Sequence, residues 1–209
     1  MKKISIAKGL LEIGAVTVRG TDDLFTWVSG IKSPIYCDNR LIISYPKFRA
    51  EIANAYVEMI KSDFNDVDVI AGTATAGIPH AAWVAQILDK PMVYIRSAKK
   101  EHGRGNQIEG RIKKGDKVVV IEDLLSTGGS SIAAVEALRE IGADVLKVYG
   151  IFNYNFPKLT EAFKKANSEF QTITDYLTLM DILETDGVID KEEYNLLKEW
   201  SENPEIFTI

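Results

Sequence analysis

Two adjacent carboxylates, Glu122 and Asp123, stand between an apolar run, Val118 to Ile121, and a small hydroxyl-rich turn, Leu124-Leu125-Ser126-Thr127-Gly128-Gly129-Ser130. An amphipathic pattern (Ile132, Val135, Leu138, Ile141) begins at once after the turn and reads as a helix. A buried strand therefore ends in an acidic pair, and a glycine-rich loop opens a helix. Backbone N–H groups at such a helix start, with the positive end of its dipole, suit a phosphate. Carboxylates just before the loop suit sugar hydroxyls or a hydrated magnesium ion. Sugar and phosphate recognition in one segment indicate a ribose 5-phosphate site. The bland alternative is an ordinary strand–turn–helix connection with acidic caps, but the pair, the hydroxyls and the apolar strand occur together. The loop carries no lysine after its glycines, so it is no GxxxxGK[ST] phosphate loop, and it lacks GxGxxG spacing.

A second segment, 96–110, could do complementary chemistry. Arg96, Lys99, Lys100, His102 and Arg104 are interleaved with glycines and small residues, against an overall excess of 30 acidic over 25 basic side chains. A loop of this length without its own structure is usually functional or disordered. A cationic loop beside a phosphate site suits a pyrophosphate leaving group, whose departure lysine and histidine donors assist. Its closure would also exclude water. Taken alone, the segment reads rather as a solvated surface loop; beside the phosphate-binding loop the functional reading prevails.

The elements that must position these groups follow from periodicity. Residues 4–14 carry helical spacing (Ile6, Leu10, Ile13) ending in Gly14, and short strand-like runs follow at 15–18, 24–28 and Ile35 to Asp38. Ser44 is a plausible cap, with Pro46 in the first turn, for a helix running to about Lys61. Strands then alternate with helices: Val67 to Ala71, Ile78 to Leu88 (helix), Met92 to Ile95, Val118 to Ile121, Ser130 to Ile141 (helix), and a last strand, Val145 to Phe152. Such alternation predicts an α/β fold, a mostly parallel sheet flanked by helices. Ligands of such sheets bind at the carboxyl ends of the strands. The loops 72–77, 96–110 and 122–130 lie at those ends. After Pro157 the composition turns charged and helical, so residues 1–157 read as the main domain and 158–209 as a helical extension. The run Thr185 to Glu193 has the composition of a calcium loop, but with Gly187 sixth its first position is Ile182, which offers no oxygen. Two helices, with Asp190 near the second start, are expected there.

Composition sets bounds. The chain of 209 residues is 46% hydrophobic and 26% charged, enough for one full α/β core with a small appendage. A net charge of −5 argues against broad binding of nucleic acid or membrane surfaces. The one cysteine, Cys37, excludes an internal disulfide and reads as a buried structural thiol. No apolar stretch reaches membrane-spanning length, and Met-Lys-Lys leads into no signal-like run, so a cytoplasmic protein is expected.

The Glu122 to Ser130 segment resembles the phosphoribosyl pyrophosphate (PRPP) motif of type I phosphoribosyltransferases. Within that group the chain resembles the orotate phosphoribosyltransferases. Arg96, Lys100, His102 and Gly103 fit their Arg-x-x-x-Lys-x-His-Gly pattern, and Ile108-Glu109-Gly110 fits downstream. Phe25-Thr26-Trp27-Val28-Ser29-Gly30-Ile31-Lys32-Ser33-Pro34-Ile35-Tyr36-Cys37-Asp38 is similar to the segment near the base, and Gly72-Thr-Ala-Thr-Ala-Gly77-Ile-Pro to the pyrophosphate-side loop. The resemblance covers roughly residues 20–153. It implies the type I fold with a small N-terminal hood, formed partly by 1–40. It also implies conversion of orotate and PRPP to orotidine 5′-monophosphate and pyrophosphate, in pyrimidine (UMP) biosynthesis. By resemblance Glu122 and Asp123 take the ribose hydroxyls, and Leu124, Leu125, Ser126, Thr127, Gly128, Gly129 and Ser130 wrap the 5-phosphate. Ser126 also meets orotate. Arg96, Lys100 and His102 bind pyrophosphate, with Lys100 and His102 catalytic. Magnesium (Mg2+) enters with PRPP, and a homodimer shares its active sites through the basic loop. Where some members carry lysines this chain has Val28, Ala76 and Ser97, and Asn153-Tyr154-Asn155 replaces a region where some place an arginine on orotate. A purine phosphoribosyltransferase and a PRPP-sensing regulator are the alternatives. Phe25 to Tyr36 favours orotate over a purine, and the chain has no basic or winged-helix pattern for a nucleic-acid-binding regulator.

Overall fold

The computed structural model describes residues 2–20, 23–27, 30–97 and 107–207. In chain order the elements begin with α1 (Lys2–Glu12), β1 (Val16–Val18), β2 (Phe25–Thr26), β3 (Lys32–Ser33), β4 (Ile35–Cys37), a 3-10 turn (Asn39–Ser44) and α2 (Pro46–Asp63). Next come β5 (Val69–Thr73), α3 (Gly77–Leu88), β6 (Met92–Ile95), β7 (Ile108–Glu109), β8 (Lys117–Ile121), β9 (Leu124–Leu125) and α4 (Gly129–Glu140). The chain closes with β10 (Asp144–Gly150), β11 (Phe152–Asn153), α5 (Pro157–Lys165), β12 (Phe170–Thr172), α6 (Tyr176–Thr185) and α7 (Lys191–Glu202).

The main sheet has strand order β12-β10-β8-β5-β6-β7, parallel throughout except for the antiparallel edge strand β7. The Val118 to Ile121 run is apolar throughout because both faces of this strand are covered. Val118 and Val120 pack with Val135, Leu138, Leu159 and Phe163 of α4 and α5, while Val119 and Ile121 pack on the opposite side with residues of α2 and α3. The period of two divides one strand between two cores. From β5 the chain moves through α3 to β6 on one side, and from β8 through α4 to β10 on the other. The gap between the carboxyl ends of β5 and β8 is therefore the topological switch point, where such sheets leave a crevice. The register sets Gly72 beside Ile121 and Thr73 beside Ile95, so the loops that follow these strands emerge together.

Over this end sits a hood built from the antiparallel pair β1–β4, the short hairpin β2–β3, and α1 with α6 and α7. Lys3 and Lys8 of α1 pair with Asp175 (2.6 Å) and Asp186 (2.8 Å) of the α6 region.

Several expectations are corrected. Ser44 does not cap α2. It ends the 3-10 turn, whose start is capped by Asp38, and Tyr45 precedes Pro46 without a side-chain cap. The strand expected over Val67 to Ala71 is Val69–Thr73, two residues later. The strand expected to run to Phe152 ends at Gly150; Phe152–Asn153 instead pairs with β9. Residues 158–209 are not wholly helical: Phe170–Thr172 extends the sheet beside β10. Phe170 and Thr172 are partly buried and Gln171 is exposed, so the strand lacks the apolar run that marks the central strands. Leu159 and Phe163 complete the core under α4. The two helices expected around Gly187 are present, and Asp190 caps the second by accepting from Glu193 N (2.9 Å).

Candidate active site

The bend after β8 is held from three directions. Tyr56 of α2 donates its hydroxyl to Glu122 O (2.6 Å), Asn39 donates Nδ2 to Asp123 O (2.8 Å), and Thr73 donates Oγ1 to Ile121 O (3.2 Å). Gly77 allows the approach, since a Cβ there would lie 2.5 Å from Ile121 O and from Thr73 Oγ1. The Glu122 side chain, 6% exposed, turns toward the start of α4. It accepts from Asp123 N (3.0 Å), Ser130 Oγ (3.4 Å) and Ser131 Oγ (3.3 Å). Burial, and then the charge of Asp123, push the Glu122 carboxyl up to about 8. Burial also raises Asp123. The two buried carboxyls therefore stand together without a cation bonded to either among the described contacts.

A cavity of about 320 Å³ opens over this pair. Glu122, Asp123, Leu124 and Ser130 line one side, Ala74, Thr75 and Ala76 the second, and Cys37 to Arg40 the third. At the loop, Gly128 precedes α4 with φ +82°, a left-handed conformation that glycine tolerates. A Cβ there would also meet Phe163 at 2.9 Å and Leu159 at 3.0 Å. Thr127, Gly129 and Ser130 are exposed around the helix start, where the first N–H groups of a helix lack intrahelical partners.

A second cavity, about 380 Å³, is largely aromatic. Phe25, Thr26, Trp27, Tyr36, Leu124, Ser126 and Tyr154 line it, with Cys37. Cys37 and Leu124 border both cavities, so a polar, acidic chamber adjoins an aromatic one. Ser126 faces the aromatic chamber and Ser130 the acidic one. Cys37 is buried, donates to Asn39 Oδ1 (3.3 Å), and has its thiol pKa raised by burial, as a structural thiol should.

The base of the basic loop is fastened by a reciprocal clamp: Arg96 N donates to Gln107 O (2.9 Å), and Gln107 Nε2 to Arg96 O (2.9 Å). The Arg96 guanidinium lies 3.7 Å from Glu109. Lys99, Lys100, His102 and Arg104 lie outside the described residues. Among the described residues no cluster of three or more His, Cys, Asp or Glu could hold a metal alone. His80 is fully buried, edge-on to Trp83 at 5.3 Å, and burial lowers it to about 4, so it is a neutral core histidine.

Sequence reasoning missed Asn39, Tyr56 and the Asp38–Arg40 pair. Arg40 grips Asp38 through two bonds (2.6 and 2.8 Å) and holds that carboxyl below its usual range. A polar run directly after a strand was the available signal for Asp38 to Arg40. Nothing local marks Tyr56, which lies on a helix 66 residues away from its partner. Asn153 and Asn155 are structural: Asn153 donates Nδ2 to Thr172 Oγ1 (2.6 Å), and Asn155 Oδ1 accepts from Leu177 N (3.0 Å).

A family model described as the phosphoribosyl transferase domain matches residues 42–171. An orotate phosphoribosyltransferase of Listeria innocua is 54% identical over 202 residues, covering 97% of this chain and 96% of that protein. One from Enterococcus faecalis is 56% identical over 200 residues, covering 96% and 95%. The crystal structure of orotate phosphoribosyltransferase from Aeropyrum pernix superposes with a TM-score of 0.76 at 30% identity, covering 88% of this chain and 99% of that one. The domain match spans the sheet from the 3-10 turn to β12, and the full-length relatives span the hood and the C-terminal helices as well.

Proposed function

The chain belongs to the orotate phosphoribosyltransferases, of the type I phosphoribosyltransferase fold, and from that premise we propose how its own residues transfer the 5-phosphoribosyl group of PRPP to orotate. The observation that carries the assignment is the meeting of the two cavities at Cys37 and Leu124. PRPP then lies over the acidic pair and orotate among the aromatic rings, so the orotate nitrogen faces the anomeric carbon.

In this arrangement Glu122 and Asp123 accept hydrogen bonds from the ribose hydroxyls. Leu124 to Ser130 wrap the 5-phosphate, and the start of α4 directs its N–H groups at it. Ser126 contacts orotate. The new carbon–nitrogen bond forms as the bond to the pyrophosphate oxygen breaks, through an oxocarbenium-like state. Arg96, Lys100 and His102 stabilise the charge that grows on pyrophosphate. No lysine stands at Ala76 or Ser97, so backbone donors of the Thr73 to Gly77 loop other than Ala74 N, which bonds Ile95 O, take the pyrophosphate side. Magnesium brought in with PRPP would supply charge neutralisation at pyrophosphate. The acidic pair is suited to orient such a complex.

We also propose a homodimer in which the loop 97–110 reaches the partner's site. Leu41, Tyr45 and Ile87 leave 40%, 43% and 46% of their surface exposed on the 3-10 turn, at the start of α2 and on α3. Exposed apolar groups on neighbouring elements suit an isologous contact. A cytoplasmic location fits small phosphorylated substrates and one buried, unpaired thiol.

The test is a spectrophotometric assay of orotate consumption with PRPP and magnesium, run against adenine, guanine and hypoxanthine. Orotate alone should be consumed. Preferred use of a purine, or PRPP binding with no turnover of any base, would replace this reading with a purine transferase or a PRPP sensor.

A further inference from the structure

We propose that Trp200, on α7, is a positioning residue for the aromatic chamber, so that the C-terminal helices set the grip on the base. The inference rests on the orotate reading above. Two walls of that chamber are Trp27, just after β2, and Tyr154, just after β11. Their rings lie 4.9 Å apart. The hairpin that carries Trp27 has two residues in each strand and a turn at Gly30, closed by Trp27 N to Ile31 O and Gly30 N to Trp27 O, both 2.9 Å. A ribbon this short does not hold its shape alone.

Trp200 supplies support from behind. It is fully buried, and its Nε1 donates to Lys32 O at 3.0 Å, on the return strand of the hairpin. Its ring meets both walls edge-on: Trp27 at 5.9 Å and 88°, Tyr154 at 6.2 Å and 89°. Phe156 and Tyr176 close the nest at 5.2 and 5.3 Å. Edge-to-face packing of this kind fixes ring orientation as well as burying area. The helix under Trp200 is itself anchored, because Tyr176 donates its hydroxyl to Leu197 O (3.1 Å) and Leu197 is buried. By contrast the acidic bend is fastened by Tyr56, Asn39 and Thr73, and the turn at Gly128 rests on α5, while the first two residues of the phosphate loop, β9, pair with β11 below Tyr154. Loosening Trp200 should therefore disturb the base chamber and spare the PRPP chamber. A merely structural residue would weaken both alike.

The experiment uses the full-length protein. Trp200→Phe keeps an aromatic ring but removes the bond to Lys32 O. The KM for orotate should rise about five- to tenfold, the scale of one buried hydrogen bond. The KM for PRPP and kcat should stay within about twofold. If Trp200→Phe does not fold, as judged by circular dichroism, Tyr176→Phe decides. It deletes only the hydroxyl that anchors α7, and it should raise the orotate KM in the same selective way. Unchanged kinetics, or equal changes for both substrates, would overturn the role given to Trp200 while leaving the orotate activity intact. A wild-type protein that does not consume orotate would overturn the functional reading and this inference with it.

Discussion

Glu122 and Asp123 stand side by side with little solvent around them, and burial raises both carboxyls. For Glu122 the shift runs from an ordinary 4.5 up to about 8. Between those values the folded protein holds more protons than the unfolded chain, so stability falls as pH rises across that window. The melting temperature of the ligand-free protein should therefore drop between about pH 5 and pH 8. Glu122→Gln should flatten that slope, and a thermal-shift series across pH would reveal equal slopes if the assignment is wrong. In the proposed PRPP complex the same carboxylates act as anions. Replacing both by their amides keeps their size and removes two charge-assisted acceptors, at about 1.5–3 kcal/mol each. PRPP affinity should fall by at least tenfold with the fold intact; calorimetry giving an unchanged Kd would remove the pair from the ribose. In the proposed arrangement Lys100 acts on the opposite end of the ligand. Because leaving-group charge grows only in the transition state, Lys100→Ala should lower kcat by about 100-fold or more while PRPP binding weakens far less. Near-normal turnover in the purified variant would contradict its role.

At the scale of elements, the phosphate loop depends on what lies beneath it. Gly128 combines a left-handed backbone with contacts to Phe163 and Leu159 of α5 that leave no room for a Cβ. Gly128→Ala should thus cost about 1–2 kcal/mol from the backbone alone, with further strain from the α5 contact. The loop and α5 would have to move apart, so the KM for PRPP should rise together with a drop in melting temperature. A variant with wild-type stability and wild-type PRPP KM would mean that the loop adapts freely. The acidic bend is held in a comparable way by α2 through Tyr56 and by the 3-10 turn through Asn39. Each of these side chains fastens a backbone carbonyl and so holds the main chain that carries both carboxyls. Glu122 accepts from Ser131 of α4, and both carboxyls border the open cavity.

For the whole molecule the question is whether one chain completes its own site. The proposed dimer sends the basic loop across the two-fold axis. Mixing Lys100→Ala chains with Asp123→Asn chains tests this, given that each variant alone is nearly inactive. Every mixed dimer would hold one site with both lesions and one with neither, so activity should recover to about a quarter of wild type after full subunit exchange. No recovery in verified mixed dimers would mean that the loop serves its own chain.

The sequence by itself determined what local chemistry and periodicity encode. The strand through Val118 to Ile121, the acidic pair at its end and the helix from Gly129 are consecutive, so they were readable in one pass. The alternation from residue 67 onward determined the parallel sheet, because a strand buried on both faces must be apolar at every position. Tertiary structure alone decided the long-range partners. β12 joins the sheet with half-exposed residues that carry no burial pattern, and α2 starts without the serine cap because the preceding 3-10 turn uses Ser44. Tyr56, Asn39 and Trp200 take their roles from carbonyls 66, 84 and 168 residues distant. A backbone carbonyl is the same acceptor at every position in a sequence, so only the folded chain can say which side chain reaches it.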